Sequence, residues 1–265
     1  MPAAAIPASR PAPLRPVAVA PAPHTDPVRP RRGPFPPSAV CGIDVGSLRT
    51  PAYVAWLRQG EFVLDLHLPS AESPLPIPPP GWPAPEWVGL DAPQGLPAPG
   101  QTARACDREA GTPTRRLPAD RRELAASILY KGLVQAGVEV FWALYEQGLV
   151  RIAGLPAGGP DRLTTVCETY PRHVLRRLWP DLRPIPSKRR VPVDYVEAVW
   201  ARLRDAGYTC PSVVRPTVDQ VDAMLCALAA EAGAREGGLP AGTVGEPPAP
   251  DYRAEVLREG LIVAP

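Results

Sequence analysis

The chain has 265 residues, 45% of them apolar, enough to fill one substantial core. Its 40 prolines gather partly at the start, where the first 38 residues hold 12. Without that segment the chain carries 24 basic against 26 acidic residues, a balance that excludes general electrostatic attraction to phosphate as the basis of any nucleic-acid binding.

Residues 1–38 combine Pro and Ala with five Arg and a single acid, Asp26, and show neither helical nor strand periodicity. This composition predicts a disordered, partly polyproline-like tail ahead of one domain at 39–265. Pro11, Pro13, Pro16 and Pro21 interrupt every run that a secretory signal would need. Nothing elsewhere reaches the roughly 18 apolar residues of a membrane span. The five cysteines include no CxxC pair, so neither a disulfide frame nor a zinc site is expected, and the expected compartment is the reducing cytoplasm.

In chain order, 39–45 reads as a continuous apolar strand, followed by strand-like runs at 52–57 and 62–68 across the tight turn Arg58-Gln59-Gly60-Glu61. Three strands with short connections predict an antiparallel meander. The next apolar run, 87–91 (WVGLD), ends in an acid. Residues 92–118 are long, irregular and rich in Gly, Pro and Arg, a pattern that points to a functional loop. Helical spacing of Leu124, Ile128, Val134, Val138, Phe141 and Leu144 predicts one helix over 121–147, or two broken near Gly132 or Gly137. A strand at 163–167, helices at 171–178, 193–206 and 218–234, and a last strand at 260–263 complete the reading.

Three strand-like runs end in an acid: Asp44 after CGI, Asp91 after VGL and Glu168 after TVC. The late helix adds Asp219 and Asp222, which at i and i+3 share one face. Acids inside apolar segments are costly unless they are paired or bind a cation, and converging carboxylates suit a hard cation such as magnesium or manganese. Each also has a plainer reading: a strand-end Asp as a turn residue, Asp219 as a helix N-cap, Glu168 as the partner of an arginine.

The segments GIDVGS, WVGLDAPQGLP, RACDREAG, ETYP, SKRR, DQVDAMLCALAA and REGLIVAP follow one another as they do in the family catalogued as domain of unknown function 429, which the chain resembles over residues 40–265. That family is regarded as one of predicted nucleases. The resemblance implies a ribonuclease-H-like α/β fold, with a mixed five-stranded sheet that begins as an antiparallel meander and is flanked by helices. It implies Asp44, Asp91, Glu168 and Asp222 as catalytic carboxylates. With Asp219 they would bind two Mg2+ or Mn2+ ions for cleavage of phosphodiester bonds in DNA or RNA. Relatives often carry two acids where this chain has Asp219-Gln220. Arg104 and Arg115 are candidates to hold phosphate, since guanidinium pairs with it in a bidentate way. Ion pairing of these arginines to Asp107 or Glu109, to order the loop, is the competing reading, and Lys188 is either a phosphate ligand or a solvated charge.

Two other classes compete. Actin-like phosphotransferases and ATPases also open on an apolar strand and Asp-x-Gly, but they need a second glycine-bearing phosphate loop, and neither WVGLDAP nor ETYP supplies one. A non-catalytic binding protein on the same fold would leave the acids too far apart to share an ion.

Overall fold

The computed structural model describes residues 38–70, 72–113, 116–126, 131–156 and 163–265. The expected tail lies outside them apart from Ser38, as does Arg115.

The meander forms as expected, from β1 (Val40–Asp44), β2 (Ala52–Arg58) and β3 (Glu61–His67), each antiparallel to the next. The Gln59-Gly60 turn between β2 and β3 takes positive φ at both residues, which matches the twist of a two-residue hairpin. β4 (Trp87–Asp91) then pairs parallel to β1, placing the two strands side by side in the sheet centre. Both are buried along almost their whole length, as strands covered on two faces must be.

Within the expected irregular loop, residues 105–110 form a short helix, α1 (Ala105–Ala110), closed by Gly111 at φ 63°. α2 (Arg121–Ala126) and α3 (Lys131–Gln147) follow, and α3 runs unbroken through Gly132 and Gly137. The two-residue β5 (Arg151–Ile152) and β6 (Thr165–Thr169) come next, then α4 (Pro171–Leu178) and α5 (Pro192–Asp205), both with Pro in the first turn. α6 (Val218–Glu236) starts from a complete capping box: Thr217 Oγ1 accepts from the Gln220 backbone N–H at 3.2 Å, and Gln220 Oε1 accepts from the Thr217 N–H at 2.8 Å. Thr217, and not Asp219, is therefore the N-cap. Gln220 closes the box. β7 (Val244–Asp251) and β8 (Val256–Val263) end the chain.

Among the described residues the sheet has eight strands, in the order β3-β2-β1-β4-β6-β8-β7, with β5 beside β6. β4, β6 and β8 run parallel, and β7 is antiparallel to β8. The resemblance implies five strands and the sequence pattern marks six; β5 and β7 are the two that the pattern misses, for local reasons. β5 is too short to leave a period, and β7 carries Pro247, Pro248 and Pro250, which normally argue against a strand. Its position at the sheet edge, with a register irregularity between Glu246 and Ala249, is where prolines are tolerated.

Helices cover both faces. Cys41, Ile43, Val88, Leu90 and Val166 pack toward α3, while Val40, Trp87 and Cys167 pack into the core formed with α4, α5 and α6. Alternation along each strand therefore assigns Gly42 and Asp44 on β1, and Gly89 and Asp91 on β4, to the α6 face.

Candidate metal centre

α6 lies directly on backbone. A side-chain carbon at Gly42 would strike the Ala223 carbonyl and the Ala227 amide, and one at Gly89 would strike the Cys226 carbonyl. Toward the other end of the helix, Gly233 meets the Trp87 ring at the start of β4. The helix thus runs antiparallel to β1 and β4, with its N-terminal turn over their carboxyl ends. Asp44 and Asp91 are partners in the parallel register there, and Asp222 on the first turns of α6 faces them. The positive end of the helix dipole favours acids at this point.

The three carboxylates are poorly compensated. Lys188, from the loop before α5, forms an ion pair with Asp222 Oδ2, and Tyr195 Oη donates to Asp222 Oδ1 at 2.6 Å. Among the described residues no side-chain hydrogen bond reaches Asp44 or Asp91. Burial, then the facing Asp91 and Asp222 carboxylates, raises the Asp44 carboxyl well above its usual range. Burial pushes Asp91 up to about 7, with Lys188 opposing and Asp222 and Glu168 adding. Burial also raises Asp222, against Lys188 and Tyr195. Burial works against the charge on Lys188, yet Asp222 and Asp91 outweigh it and hold the ammonium above its ordinary value. Asp219 is exposed on the same turn and adds repulsion to Asp44 and Asp222.

Glu168 is not in this group. Its register partner on β4 is Leu90, so its side chain leaves the opposite face of the sheet from Asp91. There Arg104, fully buried, grips it with both terminal nitrogens, Nη1 to Oε2 at 2.6 Å and Nη2 to Oε1 at 2.7 Å. On its other edge Arg104 holds Asp107, Nε to Oδ2 at 2.8 Å and Nη2 to Oδ1 at 3.0 Å. Thr112 and the Gln94 amide supply further donors to Asp107 and Glu168. Burial raises the Glu168 carboxyl, with Arg104 opposing. Arg104, a candidate for phosphate, is in its competing role: it ties the start of α1 to Glu168, helped by Glu259, which accepts from the Ala98 and Ala105 amides.

Among the described residues, the His, Cys, Asp and Glu ligand atoms that all lie within 4.8 Å of one another belong to Cys106, Asp107 and Glu168. Arg104 already supplies that trio's positive charge, so a second cation is not required there. Asp44, Asp91 and Asp222 are spaced more loosely than that.

A cavity of about 330 Å³ opens beside Asp91 at this end of the sheet. Tyr170, Arg172, Lys188 and Arg189 line part of it. Sequence reasoning missed Tyr195, Tyr170 and Arg172. The first sits 27 residues from the acid it orients, with no local spacing to betray it. The other two flank the proline of ETYP, directly after the strand whose end was flagged. His173, nearby, is committed to the Gly242 carbonyl at 3.0 Å. No described helix is long and apolar enough to cross a membrane.

Fold and site together define an α/β domain with an acid-lined cavity at the carboxyl end of its sheet. The chain belongs to the family described as "Protein of unknown function (DUF429)", whose model matches residues 42–247. No curated protein and no solved structure matches it.

Proposed function

We propose that this chain is a Mg2+- or Mn2+-dependent nuclease or related phosphodiesterase on a ribonuclease-H-like domain, acting on DNA or RNA. The observation that carries the reading is the pairing of Asp44 with Asp91 beneath Asp222, where one ammonium stands against three carboxylates. Supporting the fold is the order β3-β2-β1-β4-β6, an antiparallel meander continued by parallel strands.

The donor set fits a hard divalent cation. It is all oxygen, two of its carboxylates accept no side-chain hydrogen bond among the described residues, and the Lys188 ammonium stands in for positive charge. Asp44, Asp91 and Asp222 would hold two ions, with Asp219 at the mouth; the sheet register sets Glu168 apart in the Arg104 network. Such ions activate water and stabilise the leaving oxygen in phosphodiester hydrolysis. Tyr195 fixes the orientation of Asp222, and Lys188, Arg172 and Arg189 supply the cations that face a bound phosphate.

The test incubates the purified protein with DNA, RNA and branched substrates in Mg2+ or Mn2+, beside Asp44→Asn and Asp91→Asn. Metal-dependent cleavage that falls by about a hundredfold or more in both variants, about 3 kcal/mol of barrier, is the expected result. Cleavage unchanged in Asp44→Asn would remove that residue from the site. A well-folded protein that binds neither Mg2+ nor Mn2+ would favour a non-catalytic role.

A further inference from the structure

The cavity is small and its lining is mixed. At about 330 Å³ it sits at the low end of the 300–1,000 Å³ usual for small-molecule pockets. Pro93, Pro113 and Leu133 bring apolar surface from the segments after β4, after α1 and in α3. The β6–α4 junction and the loop before α5 bring Tyr170, Arg172, Lys188 and Arg189. Tyr170 is half-buried where β6 passes into α4, close enough to Asp91 and Lys188 to feel both charges.

A bare phosphate would leave the apolar surface unmatched, and a body with nearly balanced charge offers a long duplex no general electrostatic attraction. We infer that this cavity takes one unpaired nucleotide unit, its base against Tyr170 and the proline and leucine surface, its phosphate at Arg172, Arg189 and Lys188. This rests on the hydrolytic reading of the same site and narrows it to small nucleotides or single-stranded ends. Aromatic side chains bind bases of any identity by stacking, so the pocket carries little sequence preference.

Isothermal titration in EDTA, with uridine monophosphate, uridine and inorganic phosphate as probes, separates this inference from the hydrolytic one. The monophosphate should bind at least about tenfold more tightly than either fragment. Tyr170→Ala should weaken it by about tenfold or more, the effect of losing one stacked base, while Tyr170→Phe stays close to the parent. Arg172→Gln should weaken the monophosphate and phosphate but not uridine. A second arm compares cleavage of a single strand, an overhang and a blunt duplex in Mn2+. Faster cleavage of single-stranded ends supports the polymer source, and turnover confined to short oligonucleotides supports the small one. Monophosphate no tighter than phosphate, or a folded Tyr170→Ala that binds like the parent, overturns the pocket assignment. Tyr170-dependent binding without cleavage of any substrate leaves the pocket standing and sinks the nuclease reading. Blunt-duplex cleavage without nucleotide binding does the reverse.

Discussion

Around Arg104 two carboxylates share one guanidinium; around Lys188 three share one ammonium. In the first group the four oxygens of Asp107 and Glu168 all accept side-chain or backbone donors, and Arg104 is sealed from solvent. In the second, among the described residues, Asp222 is the one carboxylate with side-chain hydrogen bonds; the cavity itself touches both groups, at Asp91 and Lys188 of the second and at Asp107 and Glu168 of the first. Buried charge is tolerable when every lone pair is used, so the first arrangement is support for the polypeptide around it. The second leaves oxygen lone pairs unused at the cost of mutual repulsion, which is the feature on which the proposed cation site rests. Residue type does not separate the two groups; hydrogen-bond completeness does.

The largest expected effect breaks the first group. Arg104→Met leaves two buried carboxylates without their shared partner and should destabilise the fold by about 3–5 kcal/mol, read by denaturant unfolding. A loss below about 1 kcal/mol would mean that the network contributes little. Next comes the contact that aligns the second group. Gly42→Ala forces α6 off β1 and should cost about 1–3 kcal/mol, the usual range for overpacking, with metal affinity falling alongside. Wild-type metal binding in that variant would show that Asp222 tolerates displacement.

The smallest effect, counted per pH unit, sharpens the comparison by pH. Asp91 has a folded-state pKa of about 7, above the unfolded carboxylate value of about 3.9. The folded state therefore holds the extra proton, and the associated stability is complete below about pH 4 and lost as pH rises through about 7. In EDTA, stability should decline over that window by at most about 1.4 kcal/mol per pH unit for this one proton. Asp91→Asn should flatten the decline, and excess Mg2+ should offset it. An equal slope in Asp91→Asn would assign the proton elsewhere.

Much of this was legible in the sequence. Apolar runs that stop at an acid marked Asp44 and Asp91 correctly as strand ends, because a central parallel strand leaves an unbroken apolar signal. Asp222 was marked by its place on the first turns of a long helix. Glu168 ends the same kind of run, yet the shift that pairs it with Leu90 sends it to the other face, and inter-strand register is set by partners far away in the chain. Arg104 lies 64 residues from Glu168, so its grip on that residue had no local trace. β7 was hidden by its own prolines, whose tolerance depends on being at an edge that only the finished sheet defines.

The glycine contacts beneath α6 make that helix a lever. Gly233 abuts Trp87 about 16 Å along the axis from Asp222, at 1.5 Å per residue. With main chain on main chain in between, few side chains can yield to absorb a push. A bulky residue at position 233, remote from Asp44, Asp91 and Asp222, would tilt the whole rod and retune the spacing of the acids at its other end.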